Sequence, residues 1–367
     1  MEDWYSVEGE NRLISPALLF YPERIEENID QMIRIAVRPE RLWPHVKTHK
    51  NAEIIKLQLA KGIERFKCST LSELSLLCSC GVKEALLAMQ PTPIHLERFL
   101  EIAREYPETR CSTLVDNPGT LAMISERGKD LGQRVNLFLD LNNGMNRTGI
   151  APGDQALELF ERMSSDPWVS ARGLHVYDGH IHDSDARARA ERCERDMIPV
   201  RGLMEAIAAR GFEIETVIAG GSPSFPIHAK DPGLDLSPGT TLLWDAGYGS
   251  KYPEMSFKPA ATLFTRVVSK PAPGLVCTDL GHKSVASEMK LPRVRLMPGD
   301  ECEQVSQSEE HLVLRCGDDD GYQVGDSLYA IPVHICPTVS KYARAQVVEN
   351  QRVTGSWNIE ARDHDNE

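Results

Sequence analysis

A chain of 367 residues exceeds the roughly 250–300 at which a single hydrophobic core stops growing, so one large domain with a smaller companion is the first expectation. Its 41% hydrophobic and 26% charged residues exclude a disordered chain, and a formal net charge of −13 argues against nucleic acid, whose phosphates call for basic surface. No apolar run approaches the ~20 residues of a membrane-spanning helix, and the start, MEDWYSVEGENR, lacks the basic-then-apolar order of a signal peptide; a cytoplasmic protein with a small-molecule partner, no membrane and no nucleic acid is expected.

From Pro22 to about Val37 the apolar spacing predicts a helix with acidic residues in its first turns. Short β-type runs then alternate with helical ones: RLWPHVKT, a helix through LSELSLLCSC, ALLAMQ, a helix through HLERFLEIAREY, RCSTLVD, a further helix, and VNLFLDL. A helix through ALELFERM, the run GLHVYDGH, a long helix through ARARAERCERDMIPVRGLMEAIAARG, ETVIAGGSPS and a last strand near TTLLWD follow. About eight strand candidates in repeated βα units imply parallel strands covered by helices, and a (β/α)8 TIM-type barrel is the economical α/β solution. An open doubly wound sheet is the alternative, but no G-x-G-x-x-G follows the first strand.

After about Ser250 the texture becomes β-rich with turn residues between the runs, which predicts a second, mostly β C-terminal domain. The expected division is a barrel over residues 16–245 and a β-rich domain over 246–367, with residues 1–15 associated with the latter. The final ARDHDNE is expected to fray. Nine cysteines, an odd number over a long chain, fit reduced thiols better than a disulfide framework, and Cys78 and Cys80 are expected to pack on helix faces.

The sharpest chemical feature is WPHVKTHK, where a β-type run ends in Lys47 beside His45, His49 and Lys50. Strand ends on the C-terminal face of a barrel carry catalysis, and a partly desolvated lysine among cations is set up as an amine nucleophile toward a carbonyl. A solvated basic loop is the bland alternative. In ETVIAGGSPSF, Gly220, Gly221, Ser222 and Ser224 follow a strand, and SPGTT over Ser237–Thr241 repeats the pattern with Gly239 and Thr240; such loops late in a barrel suit a phosphate, or are ordinary turns. In VHICPT, His334 and Cys336 at i and i+2 share one face of an extended strand, half of a zinc-type site, or else a histidine beside a buried cysteine. DLNNGMNRTGI and HVYDGHIHD place Arg147, His175, Tyr177 and His180 past strand ends, where they can reach a ligand; His180 and His182 form a weaker candidate metal pair.

PHVKTHK, GMNRTG, HVYDGH, GGSPS and HICPT, in that order, resemble the D-threonine aldolase and D-serine dehydratase family, which has the alanine racemase type of pyridoxal phosphate (PLP) fold. The resemblance runs from about Leu13 to Arg362, including SEEH at Ser308–His311 and the closing W-x-x-x-A-R-D. It implies an N-terminal PLP barrel, a C-terminal β domain and a homodimer. By position it implies Lys47 as the Schiff-base lysine, Arg147 on the PLP phenolic oxygen, Tyr177 in the cofactor site, and Gly220, Gly221, Ser222, Gly239 and Thr240 as the phosphate cup. His334 and Cys336 match the family's pair for a divalent metal (Mn, Zn or Mg). Trp43, Val333 and Asp178 stand where many relatives carry other residues, and all three bear on the substrate pocket.

The expected activity is that of a lyase on a β-hydroxy D-amino acid: retro-aldol cleavage to glycine and an aldehyde, with His180 or a metal-bound hydroxide as the base. Dehydration of D-serine or 3-hydroxy-D-aspartate to a 2-oxo acid and ammonia uses the same residues and is the alternative. A non-catalytic PLP- or metal-binding protein is the alternative from another class.

Overall fold

The computed structural model describes residues 3–299, 302–317 and 321–364, so the tail expected to fray is described only as far as His364. Its strands, in chain order, are β1 (Ala17–Phe20), β2 (Arg65–Cys68), β3 (Glu84–Leu87), β4 (Arg110–Val115), β5 (Val135–Leu141), β6 (Val169–Val176), β7 (Thr216–Ala219) and β8 (Asp235–Leu236). The remainder are β9 (Ala261–Ala272), β10 (Leu275–Thr278), β11 (Val294–Met297), β12 (Glu303–Gln307), β13 (Leu312–Arg315), β14 (Ser327–Pro332), β15 (Arg344–Glu349) and β16 (Arg352–Asn358). Two units result: one holds Met32–Lys47 and Ile55–Gly239, the other the residues up to Gln31, Thr48–Ile54 and Thr240–Asp363. The transition thus falls at Gly239/Thr240, ahead of the expected 245/246.

The first unit is the expected barrel. Strands β2 to β8 pair in sequence order, all parallel. Near-continuous burial along β5 suits a strand covered on both faces. The eighth stave is Leu42–His45: Trp43 N–H donates to Leu236 O, His45 N–H to Pro238 O, and Lys67 N–H to Pro44 O, joining β8 to β2. Pro44 has no N–H, which leaves isolated bridges rather than a full ladder. Two sequence expectations change here. TTLLWD is a 3-10 turn over Thr240–Leu242, its extension ended by Trp244 at φ +42°, and RFKC, not singled out as a strand, is β2.

Trp43, Leu86, Leu114, Phe138 and Ile218 form a core inside the barrel, with Trp43 edge-on to Phe138 at 6.0 Å. The helices start where the sequence provides caps: Thr70 accepts from Glu73 N–H before the helix Leu71–Ser79, and Asn117 accepts from Thr120 N–H before Pro118–Leu131. Asp185 caps the long helix Ala186–Ala209 in the same way. No described helix is long and apolar enough to cross a membrane.

In the second unit the order β12-β13-β10-β9-β1-β15-β16 forms one sheet, with β14 pairing β9 and β11. Strand β1 lies antiparallel to β9, so the N-terminal segment is built into this unit, and Tyr5, Leu19, Tyr21, Phe264 and Tyr329 share its core. The expectation of reduced thiols is corrected at one place. The antiparallel register that sets Glu303 opposite Arg315 brings Cys302 to Cys316, and the two form a disulfide with Cα atoms 4.2 Å apart. That pairing depends on strand register, which cysteine spacing does not show. Cys78 is buried against Cys111, as packing requires.

Candidate active site

Lys47 lies in the 3-10 turn Val46–Thr48 that ends the eighth stave, half-buried, with its Nζ 5.6 Å from the centre of the Tyr177 ring. Among the described residues it has no carboxylate partner. Arg147 and Lys67 approach the same ring at 4.9 and 5.3 Å, so three cations lie near one aromatic ring. Arg147 is presented by a loop that Asn142 shapes, its side-chain oxygen accepting from the N–H groups of Gly144 and Asn146. The histidines of WPHVKTHK do not supply the local positive charge expected of them. His45 Nδ1 accepts from Lys47 N–H, and His49 is buried and held neutral, its pKa lowered to about 3 chiefly by desolvation. Lys67, unremarked in the sequence, is the nearby cation.

Beneath these groups runs a chain of polar residues, nearly one from each strand end. Gln90 donates to Asp116 and Asp140, at 2.9 and 2.6 Å; Asp140 Oδ1 lies 2.7 Å from His175 Nδ1; His175 Nε2 is 3.4 Å from Lys67 Nζ. Lys67 donates to Ser237 Oγ at 2.6 Å, and Ser237 passes its own hydrogen to Gly220 O. Burial opposes the charge on Asp140, but the His175 bond and those from Thr148 and Gln90 prevail and hold its carboxyl below the usual range. Desolvation first, then Lys67, lowers His175. Desolvation and the Lys47 charge bring Lys67 down to about 7. The one sequence sign of Lys67 is a charge between Phe66 and Cys68 in a buried strand.

The two expected phosphate loops meet within this unit: Gly239 N–H donates to Ser222 Oγ. Gly220 has φ +78°, and a Cβ there would come within 2.7 Å of the His228 ring; at Gly221 it would come within 3.1 Å of Tyr177. Below the loop, Ser224 Oγ donates to Asp178 Oδ1 at 2.7 Å and accepts from Gly221 N–H. His228 Nε2 lies 2.6 Å from Asp178 Oδ2. Asp178, His228 and Cys193 are close enough to suggest metal ligands. The 2.6 Å contact is instead a hydrogen bond, since donors on one tetrahedral ion at ~2.1 Å lie about 3.4 Å apart. Burial also pushes the Cys193 thiol up to about 12, away from the thiolate a metal takes. The trio is a brace for the glycine loop.

His180 packs against the loop that presents Arg147. Its Nε2 lies 3.0 Å from Asp196 Oδ2, its Nδ1 is buried without a partner among the described residues, and its ring packs where a Cβ on Gly144 would fall. Thr240, expected in the phosphate cup, belongs to the β-rich unit, where its hydroxyl is 3.5 Å from Cys336 Sγ.

His334 and Cys336 also lie in the β-rich unit, but not on a strand. Strand β14 ends at Pro332, His334 is the N-cap of the short helix Ile335–Val339, and Cys336 occupies its first turn. A helix start is compatible with Pro337, whose missing N–H is not needed in the first turn. The two side chains still hydrogen-bond one another. Burial opposes both shifts, yet the mutual contact prevails: His334 rises to about 9 and Cys336 falls toward thiolate, aided by Thr240 and by Thr48 at 3.2 Å. Glu288, absent from the sequence reading, holds His334 Nδ1 at 2.5 Å. The pair and its carboxylate suit a divalent metal of zinc type.

Two family models match the chain: alanine racemase, N-terminal domain, over residues 22–243, and putative serine dehydratase domain over residues 260–348. A D-threonine aldolase of an Arthrobacter species is 27% identical over 360 residues, covering 96% of this chain and 93% of that protein. A 3-hydroxy-D-aspartate aldolase of Paracoccus denitrificans is 25% identical over 369 residues, with the same coverage. The crystal structure of a D-threonine aldolase from Filomicrobium marinum superposes with a TM-score of 0.89 at 26% identity, covering 96% of each chain.

Proposed function

Since the chain belongs to the family of the alanine racemase N-terminal domain, we propose that it is a PLP-dependent lyase acting, with a divalent metal, on a β-hydroxy D-amino acid. The observation that carries this reading is Lys47: a half-buried amine with no carboxylate partner among the described residues, above Tyr177 and in one unit with a glycine loop too tight for Cβ. These residues fit the cofactor. Lys47 would hold it by its amine, Arg147 and Tyr177 would orient it, and Gly220, Gly221, Ser222 and Gly239 would take its phosphate. When bound, PLP withdraws electrons from the substrate Cα.

The protein's own groups then choose the bond. Lys47 would move a proton at Nζ. His180 is the candidate base: with Nε2–H held by Asp196, its Nδ1 keeps a lone pair for a hydroxyl proton. His334 and Cys336 would hold Mn, Zn or Mg, which supplies the Lewis acidity that makes a hydroxyl more acidic. We assign retro-aldol cleavage of a D-threonine-type substrate to glycine and an aldehyde. Dehydration is the second reading, favoured by the dehydratase domain match that spans His334 and Cys336. A homodimer and a cytoplasmic location accompany the proposal.

Product analysis decides. Purified protein with PLP and manganese or zinc is given D-threonine, D-serine and 3-hydroxy-D-aspartate, with L-isomers as controls. Glycine plus aldehyde establishes the aldolase, a 2-oxo acid plus ammonia the dehydratase, and no product from any of them the non-catalytic alternative. Product formation by Lys47→Ala with PLP bound would remove the role given to that lysine.

A further inference from the structure

We propose that Arg293 is a positioning residue for the metal site: it latches the loop between β10 and β11 so that Glu288 stands against His334. This rests on the reading of His334 and Cys336 as the metal pair, and every residue involved lies in the β-rich unit. The loop, residues 279–293, carries neither helix nor strand, so Glu288 owes its place to individual hydrogen bonds. Its contact with His334 is open to solvent, the two side chains being 47% and 42% exposed, and an ion pair that open contributes little to its own geometry. Something else must hold the carboxylate in front of the imidazole.

Arg293 reaches both sides of that contact. Its carbonyl accepts from Val333 N–H at 2.8 Å, next to His334, and its Nε donates to Met289 O at 2.9 Å, next to Glu288. One residue thus spans the chain that delivers the histidine and the loop that delivers the carboxylate. The guanidinium is held in turn: Nη1 donates to Gln307 Oε1 at 2.6 Å, and Gln307 Nε2 donates to Leu280 O at 2.8 Å, so one amide joins the two ends of the loop. Gln304, buried on the same strand β12, accepts from Arg293 N–H at 2.8 Å. Nearer the middle of the loop, Ala286 N–H donates to Thr338 Oγ1, which donates to His334 O. Beyond that anchor, among the described residues, the Arg293–Met289 bond is what holds the stretch bearing Glu288, apart from the contact with His334 itself. Arginine suits the place because its planar guanidinium donates in two directions at fixed geometry, here to two neutral oxygens. Arg293 therefore acts on the metal through Glu288 and the orientation of His334.

The test is a calorimetric zinc titration of the full chain, carrying PLP and stripped of metal by a chelator, with circular dichroism as the check on folding. Arg293→Met is expected to raise the zinc dissociation constant about tenfold. The double variant separates orientation of His334 from a general loss of structure: with Glu288→Gln already in place, adding Arg293→Met is expected to change the affinity by less than about twofold. If Arg293→Met does not fold, Gln307→Leu, which removes the partner of the guanidinium and keeps the arginine, is expected to raise the constant in the same Glu288-dependent way. Unchanged affinity in the folded variants, or an equal loss with and without Glu288, overturns the assignment of Arg293 alone. Zinc binding by the wild type that is indifferent to His334→Ala overturns the metal reading and this inference with it.

Discussion

His228 Nε2 and Asp178 Oδ2 lie 2.6 Å apart, both buried, directly beneath the glycine loop that begins at Gly220. The contact links the short helix Phe225–His228 to the residue after Tyr177, so loop and tyrosine are held by one carboxylate. Asp178→Ala leaves His228 and Ser224 without their acceptor, and stability should fall by about 2 kcal/mol. If the glycine loop takes the phosphate as proposed, PLP affinity should fall roughly tenfold, about 1.4 kcal/mol, because the loop loses its brace. Thermal unfolding and a fluorescence titration with PLP measure the two separately; unchanged PLP affinity in a destabilised variant would deny the brace its role.

Glu288 should matter to the metal without touching it. Glu288→Gln keeps the shape of the contact to His334 Nδ1 and removes its charge, and zinc or manganese affinity should drop about 10- to 100-fold by calorimetry. His334→Ala should lower it further. Equal affinity in Glu288→Gln and wild type would show that the carboxylate does not orient His334.

His49 predicts a pH dependence of stability. Its folded pKa is about 3 against an ordinary 6.5, so between these values the unfolded chain binds a proton that the folded chain refuses. Stability from this residue is present above about pH 6.5 and is lost as pH falls toward 3, at no more than ~1.4 kcal/mol per pH unit. His49→Asn, which can still accept the Asn51 N–H that His49 Nδ1 accepts, should show a flatter acid limb in urea unfolding. An identical slope would place the acid sensitivity elsewhere.

Arg172 marks the opposite end of the barrel from Lys47. It is 2% exposed and binds Glu215 at 2.5 and 2.7 Å and Glu84 at 2.8 Å, near the starts of β7 and β3. Charge on the N-terminal face of a barrel serves stability, whereas the C-terminal face carries catalysis. Arg172→Met should therefore cost about 2–3 kcal/mol in urea unfolding and leave turnover per folded molecule within about twofold. A large loss of turnover in the folded variant would contradict this separation of faces.

Much of the architecture was legible in the residues, because alternating short apolar runs and amphipathic stretches admit few arrangements other than parallel strands covered by helices. Lys47, the glycine loops and the His334–Cys336 pair could be put forward as candidates from the residues alone, since each carries its chemistry within a few consecutive positions. Where the reading failed, the cause was distance along the chain. Leu42–His45 becomes a stave only when β8 and β2 flank it, and Pro44 disguises it. Cys336 turns into a helix because β14 stops at Pro332.

The sequence by itself determined the order of strands and helices, the lysine and the small-residue loops, because these are properties of neighbouring side chains. Only the tertiary structure decided which buried groups answer one another: Lys67 to Ser237 and His175, Asp178 to His228, Glu288 to His334, and Cys302 to Cys316. Their separations run from 14 to 170 residues. Burial makes an unpaired polar group costly, so each must find a partner, but nothing local to either residue says which partner the fold will deliver.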